Sequence, residues 1–168
     1  MFVMEKAPKS IDAEAYRSLR SNIEYSSFDD EYRVIVVTSS VPGEGKSTTS
    51  GNLAIALAES GNSVLLVDCD MRKPARHKKF KISNAAGTAE LLLRKKSFEE
   101  VANKHNENLT IITAGKIPPN PSEMLGSMKL SRLNCISGLF ERPILSLKAF
   151  HKIAALPSWS EISTWSEF

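Results

Sequence analysis

Short apolar runs alternate with segments of helical period along the first three quarters of the chain. Near-continuous runs of branched apolar residues predict strands over 33–39, 63–68 and 109–113. Apolar residues spaced three and four apart predict helices over 10–25, 46–60, 87–96, 97–104 and 122–130. Strands that are apolar on both faces are typical of parallel sheets with helices on each side. The pattern therefore predicts a three-layer α/β fold with a mainly parallel sheet.

The pattern is lost after about residue 130. The remaining stretch holds both tryptophans and seven serines, and the chain contains no aspartate after Asp70. We therefore predict one domain over 1–130 and an atypical tail over 131–168 that adds no strand with a polar catalytic end. The fold is then expected to be incomplete at its C-terminal part, with an apolar strand edge left open.

A glycine-rich loop joins the first predicted strand to the helix that starts near Lys46. Gly43 and Gly45 allow consecutive backbone N–H groups to face one anion, as in a phosphate-binding P-loop. Lys46 is expected at the β- and γ-phosphates of a nucleotide, and the Ser47 hydroxyl at Mg²⁺. The residues predicted to contact the nucleotide are Ser40, Pro42, Gly43, Glu44, Gly45, Lys46, Ser47 and Thr48. Ser40 stands where the pattern Gly-x-x-x-x-Gly-Lys has its first glycine, and the alternative is a plain turn between strand and helix.

Two carboxylates, Asp68 and Asp70, follow the second predicted strand. Ligands of open α/β sheets bind at the carboxyl ends of the strands, where the glycine-rich loop also begins. Carboxylates there suit Mg²⁺, which accepts one or two of them together with phosphate oxygens. One of the two would also accept a proton from an attacking hydroxyl. The alternative is a polar turn that ends the strand.

The predicted helix over 10–25 carries two different faces. Its apolar residues are expected to pack on the core: Tyr16, Leu19 and Ile23. Its charged residues lie on another arc of the helix: Glu14, Arg17 and Arg20. Taken alone, these three charges are typical of a solvated face with an ion pair between residues three apart.

Composition limits the classes of function. The chain has 168 residues, 42% of them hydrophobic, and a net charge of +3, which is too small to indicate nucleic-acid binding. Cys69 and Cys135 make no disulfide framework, so a cytoplasmic setting is expected. No apolar run approaches the roughly 18 residues of a membrane span. Any action at the membrane would therefore depend on a partner.

Four stretches together resemble one family. They are the loop over 38–47, the strand over 64–72 that ends Asp-x-Asp-x-Arg, the Glu-x-x-Arg-x-x-Arg pattern from Glu14 to Arg20, and the proline-rich loop over 117–123. The chain over roughly 10–130 resembles the bacterial protein-tyrosine kinases of capsule and exopolysaccharide operons, in which a serine commonly replaces the first P-loop glycine.

The resemblance implies ATP and Mg²⁺ as cofactors and tyrosine hydroxyls of proteins as substrates. It implies that Lys46, Ser47, Asp68 and Asp70 hold the nucleotide and the metal, with Asp68 activating the tyrosine hydroxyl. It assigns Glu14, Arg17 and Arg20 to contacts between subunits of a ring-like homo-oligomer. It also implies a transmembrane activator of the polysaccharide co-polymerase type, which would place the chain at the inner face of the cell membrane.

Two features of the family are missing from the sequence. No strand after residue 130 ends in aspartate, and the only tyrosines are Tyr16, Tyr25 and Tyr32, so a tyrosine-rich tail is absent. We interpret 131–168 as a frameshifted or truncated end, and expect weak nucleotide binding with little autokinase activity. The alternatives are a P-loop ATPase of the partitioning type, weakened by Val41 at the site of its extra lysine, and a catalytically inactive nucleotide-binding assembly module.

Overall fold

The fold is seen in a computed structural model that describes residues 1–26, 34–120 and 145–149. The described helices are α1 (Val3–Lys6), α2 (Ile11–Tyr25), α3 (Lys46–Glu59), α4 (Arg76–Phe80), α5 (Thr88–Leu92) and α6 (Phe98–Val101). The described strands are β1 (Val34–Val37), β2 (Val64–Asp68), β3 (Ala102–Lys104), β4 (Leu109–Ile112) and β5 (Leu145–Ala149). In the described ranges, no helix has the length and apolar character needed to cross a membrane.

The five strands form one sheet in the order β1-β5-β2-β4-β3. β1, β5, β2 and β4 run parallel, and β3 pairs antiparallel with β4 at one edge. β2 is buried along its whole length, and its successive side chains enter two different clusters. Val64 and Leu66 pack with α3, whereas Leu65 and Val67 pack with residues of α5 and α6. The predicted three-layer α/β fold with a mainly parallel sheet is confirmed.

β5 corrects the prediction for the C-terminal part. We expected an open apolar edge in this part of the sheet, but Leu145–Ala149 lies between β1 and β2 and pairs with both. The sheet is closed at this point because β1 and β2 each present an unpaired backbone edge that a parallel strand satisfies. Where the domain ends, and whether 131–168 is an altered tail, stay predictions, because most of that stretch lies outside the described residues.

Several local boundaries differ from the prediction. The stretch 97–104 was predicted as one helix, but it forms α6 followed directly by β3. The helix predicted over 87–96 is only the short α5. The stretch 72–81 is basic, a composition typical of a solvated loop, but it contains α4 with Arg76 and Phe80 buried. The helix predicted over 122–130 lies outside the described residues.

The N-terminal helix packs on α3 largely through the predicted apolar face, with one exception. Ser10 caps α2 by accepting a hydrogen bond from the Ala13 backbone N–H at 3.2 Å. Ala13 is buried, and Tyr16 and Ile23 pack at the margin of the core. Leu19 is 38% exposed, so its predicted core position is wrong. The next residue, Arg20, donates a hydrogen bond to the Ala56 carbonyl of α3.

The first residues of the chain form a contact that the sequence pattern did not predict. Phe2 is 1% exposed and lies against Gly51 of α3, where an added Cβ would come within 2.1 Å of the ring. The Met4 backbone N–H donates to the Asn52 side-chain oxygen at 3.1 Å. This contact ties α1 to the first half of α3, close to the glycine-rich loop.

Candidate functional site

The loop between β1 and α3 owes its shape to two glycines. Gly43 and Gly45 have φ angles of +88° and +86°, a conformation that other residues adopt only with strain. No atom lies within 4 Å of a Cβ built at either residue, so backbone conformation rather than space requires glycine. The Gly45 carbonyl accepts hydrogen bonds from the N–H groups of Thr48 and Thr49, both at 2.8 Å. The helix thus begins at Lys46, as predicted.

Lys46 folds back over the loop. Its Nζ donates to Ser39 Oγ at 2.6 Å and lies 3.5 Å from the Val41 carbonyl oxygen. The loop residues around it are exposed, but Lys46 itself is only 9% exposed. In the part of the chain that the structure describes, no carboxylate forms an ion pair with Lys46. Its positive charge is therefore uncompensated at the N-terminus of α3, where an anion is favoured.

The other predicted contact residues surround this lysine. Ser40, Pro42 and Glu44 are exposed on the loop, and Glu44 closes it by accepting a hydrogen bond from the Val41 N–H at 3.2 Å. Ser47 and Thr48 occupy the first turn of α3 and are half-buried. The structure thus brings the predicted loop residues together around the start of one helix.

Asp68 ends β2 and is almost completely buried, at 1% exposure. Its Oδ1 accepts hydrogen bonds from Arg76 Nη1 at 2.9 Å and from the Asp70 backbone N–H at 3.1 Å. Its Oδ2 is buried without a hydrogen-bond partner among the described residues. Burial raises the pKa of the Asp68 carboxyl above its usual range, and the Arg76 guanidinium offsets that only in part. A carboxyl in this environment is suited to accepting a proton.

Asp70 occupies a more open position two residues further on. Its carboxylate accepts a hydrogen bond from the Lys73 backbone N–H at 3.0 Å, which folds the chain back after β2. Asp70 is half-buried, in contrast with Asp68. The two predicted carboxylates therefore lie at the carboxyl end of the same strand in different environments.

The two carboxylates do not form a metal site on their own. In the described ranges, no group of three or more histidine, cysteine, aspartate or glutamate side chains is placed to hold a metal ion. A Mg²⁺ ion that takes most of its ligands from phosphates and water needs only one or two carboxylates from the protein. The unpartnered Oδ2 of Asp68 and the half-buried Ser47 hydroxyl fit such an ion.

β5 stands between the two strands that carry the site. Ala149, its last residue, is in register with Val37 of β1 and with Asp68 of β2. The strand reads Leu-Ser-Leu-Lys-Ala, so it brings no carboxylate to this edge of the sheet. β5 therefore adds no acidic residue to Asp68 and Asp70, whose roles at the site stay predictions.

Arg76 is the largest feature of the site that sequence reasoning missed. It is 0% exposed, and besides Asp68 it contacts the Val67 carbonyl at 3.1 Å and Ser50 Oγ at 2.9 Å. It therefore joins β2, α3 and α4 beneath the loop. The only sequence signal was Phe80 four residues later, a spacing that places both residues on one side of a helical turn.

The charged face of α2 lies away from these groups. Arg17 pairs with Glu14 at 3.3 Å and with Glu59 of α3 at 3.5 Å. Arg20 pairs with Glu24 at 3.5 Å. All of these ion pairs lie within one subunit, and Glu14 is exposed. The role of Glu14, Arg17 and Arg20 in contacts between subunits stays a prediction.

A glycine-rich loop that opens a helix, a lysine at the start of that helix and carboxylates at the end of a second parallel strand define a P-loop nucleotide-binding protein. The chain belongs to the CobQ/CobB/MinD/ParA nucleotide binding domain family, whose sequence profile matches residues 35–148. That match reaches residue 148 and so includes all of β5 except its last residue, in agreement with the place of β5 in the sheet.

Within this broad family, the chain is similar in sequence to proteins named tyrosine-protein kinases. The chain is 46% identical over 127 residues to the tyrosine-protein kinase YwqD of Bacillus subtilis, covering 75% of this chain and 54% of that protein. It is 37% identical to the putative tyrosine-protein kinase CapB of Staphylococcus aureus, covering 79% of this chain and 58% of that protein. The crystal structure of the chimerical protein CapA2B2 superposes with a TM-score of 0.81 at 34% identity, covering 99% of this chain and 72% of that one.

These relatives confirm the resemblance to bacterial tyrosine-protein kinases. The chain spans little more than half the length of the two curated relatives. The activity, substrates and partners of a complete kinase are therefore proposed, and not shown, for this chain.

Proposed function

We propose that this chain is an ATP-dependent protein-tyrosine kinase domain that regulates capsular and exopolysaccharide biosynthesis and export. The observation that carries the proposal is Asp68, a buried carboxyl at the strand end beside the P-loop. One of its oxygens accepts a hydrogen bond from Arg76, and the other has no partner among the described residues. Its raised pKa favours a role as the group that takes the proton from a tyrosine hydroxyl. The similarity to proteins named tyrosine-protein kinases supports the same choice.

The remaining residues have separate roles in this proposal. The N–H groups of the loop over 40–48 bind the phosphates, and Lys46 neutralises charge on the β- and γ-phosphates. Ser47 and Asp70 would hold Mg²⁺, with Asp68 close to it. When bound, Mg²⁺ supplies charge stabilisation for the transferred phosphoryl group. Arg76 keeps the Asp68 carboxyl in one orientation, so that its second oxygen is left for the reaction.

Assembly and location belong to the same proposal. The chain would form a ring-like homo-oligomer through the charged face of α2. A transmembrane activator of the polysaccharide co-polymerase type would bring it to the inner face of the cell membrane.

An inactive nucleotide-binding assembly module is the second candidate, and β5 favours it. A site that takes carboxylates from two strands would position the metal better than one that has Asp68 and Asp70 alone, because Mg²⁺ demands nearly ideal octahedral geometry. β5 lies beside both site strands without a carboxylate. A partitioning-type ATPase remains a third candidate through its shared fold.

Labelled MgATP distinguishes the three candidates. We expect the purified chain to bind MgATP weakly and to show little or no phosphotyrosine, because β5 brings no acidic group and residues 131–168 contain no tyrosine. Replacing residues 131–168 with a segment whose strand ends Asp-x-Pro-Pro, together with its tyrosine-bearing continuation, should restore phosphotyrosine. Asp68→Asn in the repaired chain is the control and should abolish the signal.

The other outcomes each support a different function. ATP hydrolysis without phosphotyrosine in the repaired chain would favour the partitioning-type ATPase. Nucleotide binding by the repaired chain, with neither phosphotyrosine nor ATP hydrolysis, would favour the assembly module. If the unrepaired chain forms strong phosphotyrosine, and Asp68→Asn abolishes it, the reaction needs no carboxylate on β5.

The charged face of α2 gives a test of assembly. Changing Glu14, Arg17 and Arg20 together to alanine should shift the oligomer towards monomer, measured by light scattering. The fold should survive, because the ion pairs of Arg17 and Arg20 are partly exposed and such pairs contribute about 0–1 kcal/mol each. Exposed residues elsewhere provide a control with the same change of charge: Lys95, Lys104 and Glu107. If the parent is oligomeric and the triple variant has the same mass, the charged residues of α2 form a solvated face and not a subunit contact.

A further inference from the structure

A second lysine lies against the first turn of α3. Lys79 belongs to α4, and its Nζ donates a hydrogen bond to Thr48 Oγ1, two residues after Lys46. Lys79 is half-buried, although it lies in a basic stretch whose composition is typical of a solvated loop. The contact joins residues 31 positions apart in the sequence, so only the tertiary fold brings them together.

The N-terminal segment restricts where this lysine can point. The Lys79 ammonium lies 5.9 Å from the centre of the Phe2 ring, within the range of a cation–π contact. Phe2 in turn packs against Phe80 with the rings tilted by 41° and their centres 4.4 Å apart, and it rests in the space left by the missing Cβ of Gly51. With an aromatic ring on one side, the ammonium is directed towards Thr48.

The first turn of α3 therefore has two cations beside it. Among the described side chains, no carboxylate forms an ion pair with Lys46 or with Lys79. Residues two apart on a helix point about 200° away from each other, so Lys46 and Thr48 flank the helix N-terminus from opposite sides. A single small anion needs only one of these positions, whereas a chain of phosphates would reach both.

We propose that Lys79 is a nucleotide-binding residue that contacts the phosphate nearest the ribose. Lys46 reaches the β- and γ-phosphates, so the opposite side of the helix N-terminus faces the inner end of the phosphate chain. The inference rests on the proposed function, since it requires a nucleotide at the P-loop. It adds a side chain from outside the loop, held in place by Phe2, to the set that fixes nucleotide affinity.

Calorimetry with MgATP and MgADP on the full chain tests this role. Lys79→Gln should weaken both nucleotides by a similar factor of about ten, because a charge-assisted contact to the inner phosphate is common to both. Lys78→Gln, an equal change of charge at the exposed neighbour on the same helix, should leave both affinities within about twofold. Lys79→Arg keeps the charge and should retain most of the affinity.

The outcomes separate this inference from the function on which it rests. If the parent binds nucleotide, and Lys79→Gln and Lys78→Gln bind it with equal affinity, the role of Lys79 is overturned but the proposed function is not. A parent that binds neither nucleotide would overturn the proposed function and the inference with it. Thermal unfolding without nucleotide is measured in parallel. A loss of affinity that Lys79→Arg does not restore, together with a lower melting temperature, would mean that Lys79 serves only the packing of Phe2.

Discussion

Lys46→Met is expected to weaken MgATP binding by about 100-fold or more while the chain stays folded. The ammonium of Lys46 is bound by Ser39 Oγ and the Val41 carbonyl, which are neutral, and it has no carboxylate partner among the described residues. Removing it therefore leaves no buried charge behind. Each lost contact between the ammonium and a phosphate is a charge-assisted hydrogen bond of about 1.5–3 kcal/mol.

Calorimetry on the parent and the variant measures this effect. Lys95→Met, at an exposed residue of the loop after α5, provides the same substitution away from the site and should bind like the parent. Denaturant unfolding of both variants checks that the fold is kept. Equal MgATP affinity for Lys46→Met and the parent would refute the nucleotide site.

Arg76→Met should lower the free energy of unfolding by about 3–5 kcal/mol, the cost of leaving one member of a buried ion pair without its partner. The side chains of Arg76 and Asp68 are 0% and 1% exposed, and Arg76 Nη1 lies 2.9 Å from Asp68 Oδ1. The substitution also leaves the Val67 carbonyl and Ser50 Oγ without their donor. A loss of this size is a large fraction of the stability of an ordinary domain.

Denaturant unfolding of a double-mutant cycle isolates the ion pair. The double variant Asp68→Asn/Arg76→Met should be more stable than Arg76→Met alone, because it no longer buries an unpaired carboxylate. Lys78→Met, on the exposed side of the same short helix, is the control. A free energy of unfolding for Arg76→Met equal to that of Lys78→Met would contradict the role of the pair.

The sequence by itself determined the parts of this protein that depend on neighbouring residues. Lys46 was predicted as the start of α3, and β2 was predicted to end at Asp68, because glycine conformation and a run of apolar residues act locally. The P-loop class was also predicted correctly, because the residues that define it lie in one contiguous stretch, the loop over 38–47. The helix over 46–60 was predicted within one residue of its observed end at Glu59.

The tertiary structure decided the features that depend on partners far along the chain. Arg76 and Lys79 read as solvated charges because their partners, Asp68 and Thr48, are separated from them by 8 and 31 residues. β5 has few of the branched residues that favour strands, and it is a strand because β1 and β2 satisfy its backbone hydrogen bonds. Burial and hydrogen bonding across the sheet overrule local composition, since they are properties of the assembled layers and not of any short segment.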